Sequence, residues 1–266
     1  MVNRLRGKIA IVVGAGQQPG EGIGNGRAMS ILFAREGAKV MLVDKNLERA
    51  KETKSMIDKE GGESFIFEAD ITKEDDCQEI ANKCVEVHEK IDILVNNVGI
   101  GTGDRNLVDL SEEAWDKIFD VNLKGMFFVC KYILPIMEKQ ESGSIINISS
   151  VAAVAAARYV AYKISKSGVN SLTHQLAVKY AKNGIRVNAI MPGLMNTPMA
   201  IEGISKARGI NKEDLIKMRN KMVPLKGGMG SAWDVANAAL FLASDEAKFI
   251  TSVILPVDGG QSSKIG

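Results

Sequence analysis

"KIAIVVGAGQQPGEGIGNGRAMSILFAREGAKVMLVD", residues 8–44, decides the fold. Two short apolar runs, "KIAIVVG" (8–14) and "KVMLVD" (39–44), read as strands. Between them "GRAMSILFAREGA" (26–38) has helical spacing and a glycine stop at Gly37. Strand, helix and strand at these lengths make a right-handed βαβ unit. Strands this uniformly apolar belong in a parallel sheet covered on both faces. The turn from first strand to helix is unusual: Gly14, Gly16, Gly20, Gly22, Gly24 and Gly26 fall within thirteen positions.

The alternation continues to the C-terminus. Helices are expected at 46–62 and 73–89, through "AWDKIFDVNLKGMFFVCKYILPIMEK" (114–139), and at 159–184 and 231–245. Strands are expected at 63–70, 91–99, 143–150, 185–193 and 252–260. The pattern predicts the α/β class: one Rossmann-type domain over 1–266, with a doubly wound, seven-stranded parallel sheet in three layers and ligands at the C-terminal strand ends. Residues 194–230 interrupt the alternation, and between Ala200 and Met222 they carry six Lys/Arg against three acids. Too long for a connector, the segment reads as a lid over a site.

Composition narrows the function. An apolar content of 45%, 25% charged residues and a net charge of +2 lack the basic excess of a nucleic-acid binder. The N-terminus runs from a short basic start straight into an apolar strand without a leader pattern, and no stretch is long and apolar enough to span a membrane, so the chain reads as cytoplasmic. Cys77, Cys84 and Cys130 lack CxxC spacing, and His88 and His174 are isolated, so neither disulfides nor a metal site are expected.

A glycine-rich turn opening a helix offers backbone N–H groups and a positive helix end to a pyrophosphate. Asp44 closes the second strand thirty residues after Gly14, placed to accept hydrogen bonds from adenosine ribose hydroxyls. A carboxylate there repels a 2′-phosphate and favours NAD over NADP; Lys45, beside it, is the counter-argument. Further along, "YKISK" sets Tyr162 and Lys166 four apart on one helix face. Upstream, "NISS" ends the fifth strand with Ser149 and Ser150, and Asn122 lies in "DVNLKG". A phenol is a poor base near neutral pH, but an adjacent ammonium stabilises its phenolate, making Tyr162 an acid/base for alcohol–ketone interconversion. A serine hydroxyl would polarise the substrate oxygen, Lys166 would also hold the nicotinamide ribose, and Asn122 would fix a water leading to Lys166.

These residues resemble, over nearly the whole chain, the short-chain dehydrogenase/reductase family of the single-domain type with a Ser–Tyr–Lys–Asn site. The resemblance rests on the Gly-rich turn, Asp44, "AD" ending at Asp70, "NNVG" (96–99), Asn122, "NISS", "YKISK", "RVNAIMPG" with Thr197 beyond it, and "LPVDGG". It implies adenine held by Asp70 and the Ile71 backbone, Asn97 beside the adenosine ribose with Gly99 closing the same motif, and Pro192 to Thr197 over the nicotinamide carboxamide. It also implies a homotetramer. "NNVG" stands where the family has "NNAG". The family's serine-to-tyrosine spacing selects Ser149, whereas aligning "NISS" selects Ser150 at the strand exit; Ser150 is taken. Counting back from Gly37 puts Gly24-Asn25-Gly26 at the helix entry, with Gly20 before it and an insertion centred on 17–22. Gln17 could add a hydrogen bond to the cofactor, and either Ile23 or Asn25 supplies the phosphate-binding N–H.

The expected function is NAD-dependent interconversion of a secondary alcohol and a ketone. Alternatives are an NADPH-dependent 3-oxoacyl thioester reductase and a non-catalytic nucleotide-binding scaffold. Arg158, Tyr159, Met195 and Met199, with Ser150 and Tyr162, are expected to line the pocket for a compact, cyclic or acidic small molecule.

Overall fold

The computed structural model describes residues 3–155 and 159–263. Nine strands and nine α-helices alternate along them: β1 (Ile9–Val13), α1 (Asn25–Arg35), β2 (Lys39–Asp44), α2 (Leu47–Lys59), β3 (Glu63–Glu68), α3 (Glu74–His88), β4 (Ile93–Asn96), α4 (Glu112–Phe119), α5 (Gly125–Gln140), β5 (Gly143–Ile148), α6 (Ala161–Tyr180), β6 (Ile185–Pro192), β7 (Met195–Asn196), α7 (Pro198–Arg208), α8 (Lys212–Met222), β8 (Gly230–Ser231), α9 (Ala232–Ala243) and β9 (Ile254–Val257). Seven strands form one parallel sheet in the order β3-β2-β1-β4-β5-β6-β9, the predicted doubly wound arrangement. Strand order reverses between β1 and β4, and a crevice opens there at the carboxyl ends.

The period-2 side-chain alternation of each strand feeds two separate cores. Ala10, Val12, Val40, Leu42, Ile93 and Val95 pack with α1 and α9. Ile9, Ile11, Val13, Met41, Val43 and Leu94 pack with α3, α5 and α6. Burial on both faces explains why the strands are uniformly apolar in sequence.

Two expectations are corrected. The helix predicted across 114–139 is broken by a π-helical turn, Asp120–Lys124, whose extra residue per turn is invisible to helical periodicity. The helix expected from Tyr159 begins at Ala161, because its N-terminus is held by a distant side chain described below. Residues 194–230 contain two helices: Thr197 caps α7, Gly209 ends it with φ 62°, and Asn211 caps α8. The ends of this segment are tied by the pairing of β7 with β8.

Candidate active site

The first βα turn brings backbone and glycine together as the sequence requires. Gly14 leaves β1 with φ 83°, and Gly24 is the N-cap of α1. A Cβ on Gly26 would stand 1.9 Å from the Gly14 carbonyl oxygen, so only glycine lets the helix start flush against the strand. A Cβ on Gly22, by contrast, would meet nothing within 4 Å, which assigns "GIG" to the loop and Gly24-Asn25-Gly26 to the helix entry. Asn25 is the first helical residue, and its buried Oδ1 has no partner. Ile23 packs its side chain onto the α1/α9 core.

Gln17 departs from expectation. Its Oε1 accepts from Gly24 N at 2.8 Å and its Nε2 donates to Gly22 O at 3.2 Å, so the side chain braces the insertion from inside. The insertion also leans on α7: a Cβ on Gly20 would lie 2.6 Å from Glu202 Cγ and 3.1 Å from Pro198 Cβ.

At the end of β2, Asp44 accepts from Gly16 N and Asn46 N, both at 2.9 Å. These bonds aim its carboxylate across the mouth of the glycine turn. Asn97 donates from Nδ2 to Gly14 O at 3.0 Å, locking β4 to β1 at the crevice. Burial raises the Asp70 pKa, but hydrogen bonds from the Thr72 backbone and hydroxyl, with Lys45 and Lys73 nearby, leave it below the usual carboxylate range. Ile71 is buried against Gly125 at the start of α5. Pro192 ends β6, and Thr197 is buried at the α7 cap, accepting from Ala200 N.

Across the crevice, α6 carries Tyr162 and Lys166 inward. Lys166 is 2% exposed; its Nζ donates to the Ile148 carbonyl at 2.7 Å and lies 5.9 Å from the Tyr162 ring centroid. Burial lowers its pKa to about 8. A Cβ on Gly99 would reach this ammonium at 3.0 Å, so the "NNVG" turn forms the wall beside it. Asn122, in the π turn, accepts from Ile100 N at 2.7 Å and donates to Ile100 O and Ser165 Oγ at 2.9 and 3.0 Å. The turn thus fastens the 100–110 loop to α6. A buried ladder from Asn96 through Asn147 to Thr173 fixes α6 against β4 and β5.

The two candidate serines point differently. Ser149 is buried with its hydroxyl on the Lys166 carbonyl at 3.2 Å. Ser150 accepts from Ala152 N at 3.2 Å and lies beside the Tyr162 phenol. Burial raises the Tyr162 pKa, and the neighbouring Ser150 hydroxyl only partly offsets this.

On the substrate side, Met195 is corrected from the pocket to the core. It is 5% exposed, and its sulfur packs against Gly230 because β7 pairs with β8. Met199 is half exposed on α7, and Tyr159 takes a hydrogen bond from Arg208 at 3.3 Å. Arg158 lies outside the described residues.

Asp104 was missed by the sequence reading. Its buried carboxylate accepts from Tyr162 N at 2.7 Å and from Val160 N and Ala161 N at 3.2 Å each, capping α6 where the chain supplies no local cap. The absence of Ser, Thr, Asp or Asn just before "AYKIS" was the one available signal.

The crevice fits a dinucleotide. First-turn N–H groups of α1 lack intrahelical carbonyls, no acid sits in that turn, and a buried Asn25 oxygen waits there without a donor. The comparisons agree with this chemistry. A family model described as "Enoyl-(Acyl carrier protein) reductase" matches residues 19–262. The 3-oxoacyl-(acyl-carrier-protein) reductase FabG of Thermotoga maritima is 37% identical over 97% of this chain and 98% of its own length. A solved structure from Burkholderia xenovorans, described as a short-chain dehydrogenase/reductase, superposes with TM-score 0.93 at 39% identity, over 99% of both chains. Carveol dehydrogenase from Mycobacterium avium, solved in complex with NAD, superposes at TM-score 0.90 and 29% identity, over 98% of this chain and 99% of that one. The chain belongs to the short-chain dehydrogenase/reductase family. It is an oxidoreductase acting on CH–OH groups with a nicotinamide dinucleotide as cofactor class.

Proposed function

We propose that this enzyme interconverts a secondary alcohol and a ketone with NAD, using Tyr162 as acid/base. The observation that carries the reading is the buried Lys166 ammonium 5.9 Å from the Tyr162 ring, one turn along the same helix, with Ser150 beside the phenol. The N–H groups at the start of α1, around Gly24, Asn25 and Gly26, would hold the diphosphate. Asp44 would hold the adenosine ribose, and Asp70, Ile71, Asn97 and Gly99 would line the adenine and ribose side. Pro192 to Thr197 would cover the nicotinamide end, and Lys166 would reach its ribose. When bound, the nicotinamide ring accepts or donates a hydride at the carbinol carbon.

The remaining steps fall to the chain itself. Ser150 donates a hydrogen bond to the substrate oxygen, and Tyr162 takes the hydroxyl proton in oxidation or returns one to the alkoxide in reduction. Lys166 keeps positive charge next to the phenolate that oxidation requires. Asn122 holds the 100–110 loop and α6 in register so that these groups meet.

Asp44 supports NAD over NADP, since a carboxylate at the end of β2 would repel a ribose 2′-phosphate. Similarity to FabG keeps a 3-oxoacyl thioester reductase as the second reading. Steady-state rates with NAD and NADP, on a panel of secondary alcohols, ketones and 3-oxoacyl thioesters, decide between them. Residues 194–230 serve as the lid over the substrate. Apolar Leu123 in the π turn, Leu172 on α6 and the half-exposed Phe127 on α5 support association as a homotetramer, which light scattering tests.

A further inference from the structure

Leu215 and Arg219 are the buried residues of α8, one turn apart, so Arg219 lies on the inward face of that helix at 8% exposure. Its Nε donates to the Met229 sulfur at 3.2 Å, a weak acceptor. Among the described residues no carboxylate pairs with this guanidinium and no acceptor meets its terminal nitrogens. Two other guanidinium groups, one buried and one half-buried, are satisfied. Arg27 bonds Glu52, Thr53 and the Arg49 carbonyl, and Arg186 bonds the carbonyls of Leu242, Ser244 and Ile250.

A second guanidinium aggravates the imbalance. Burial, and then the proximity of Arg208, hold the Arg219 pKa below the ordinary arginine value. Arg208, in the last turn of α7, reaches the Tyr159 hydroxyl three residues before Tyr162. Two like charges thus gather on the lid helices beside the entrance to α6, the inner one largely buried and, among the described residues, without an anion. A largely buried cation without a counter-ion is costly to the fold, and its terminal nitrogens, which are not closed off from solvent, leave room for an anion to balance it.

We infer that Arg219 and Arg208 bind a carboxylate of the substrate, so that the preferred substrates are hydroxy and keto acids. This rests on the oxidoreductase reading above. With Nε held by Met229, the two terminal nitrogens of Arg219 offer a fixed fork to a planar carboxylate. Arg208, exposed at the rim, attracts the anion and draws Tyr159 toward it.

The test uses keto carboxylates of increasing size, each paired with its uncharged methyl ester. Calorimetric titration of the NADH-loaded protein reads binding, and NADH consumption reads turnover. The best acid is expected to bind about tenfold more tightly than its ester, as one charge-assisted bidentate contact allows. That ratio falls close to one in Arg219→Met and drops several-fold in Arg208→Gln, while Lys217→Met, which removes an exposed charge from the same helix, leaves it intact. Arg208→Gln decides the matter if Arg219→Met does not fold. The inference is overturned if no acid is preferred over its ester, if the preference survives both arginine variants, or if Lys217→Met removes it equally. Acid preference without any turnover would instead count against the oxidoreductase reading and leave the anion site standing.

Discussion

The Asp104 carboxylate accepts the backbone N–H of Tyr162 at 2.7 Å, joining residues 58 positions apart. A loop side chain thereby sets where α6 begins and so where the phenol stands. Because the same carboxylate also holds Val160 N and Ala161 N, its loss leaves several N–H groups of a helix start unpaired. Asp104→Ala should lose about 2 kcal/mol of stability by denaturant titration, and should lower kcat more than it weakens cofactor binding. Asp104→Asn, which keeps an acceptor oxygen, should recover most of the stability. An Asp104→Ala protein with unchanged melting and kcat would remove Asp104 from the account.

Gly26 and Gly22 are predicted to respond very differently to alanine. Gly26→Ala drives a methyl into the Gly14 carbonyl and should abolish NAD binding or prevent folding. Gly22→Ala meets open space and bears only the strain of its φ of 86°, about 1 kcal/mol. Dinucleotide titration of both variants checks which glycines form the cradle.

The fold was legible because its physics is periodic. Uniformly apolar strands such as Ile9–Val13 and amphipathic helices such as Leu47–Lys59 reveal covered parallel strands and surface helices directly. Tyr162 and Lys166 were legible because both lie on one helix, where spacing fixes relative direction. What was not legible depends on long-range contact. Asp104 caps a helix from a loop without periodicity, and Met195 is drawn into the core by a two-residue strand pairing with Gly230. Gln17 lies in an insertion whose internal hydrogen bonds follow from loop shape rather than residue type.

Lys166 gives a pH signature. Its pKa of about 8 in the folded chain lies below the unfolded value of 10.5, so between these values the unfolded state binds more protons. The penalty of burying the ammonium is fully present below about pH 8 and is relieved as pH rises toward 10.5. Lys166→Met should therefore be more stable than wild type at pH 7, by about 1–3 kcal/mol, with the gap narrowing above pH 8. The same variant should be inactive. A gap that widens with rising pH would contradict the assignment.

Cys77, Cys84 and Cys130 are all buried, with burial raising each thiol to about 12. Iodoacetamide at pH 7.5 should leave the native protein active and unlabelled, and should label it only after unfolding. Mass spectrometry of the treated native protein reads the outcome.

The most direct test of the central claim is the rate of NAD reduction on the best secondary alcohol, measured for wild type and Tyr162→Phe alongside NAD affinity. Removing one hydroxyl from the phenol should cut kcat by about 10²–10⁴-fold while the NAD dissociation constant stays within about twofold. Tyr162→Phe turning over at the wild-type rate, with NAD bound equally well, would contradict the account.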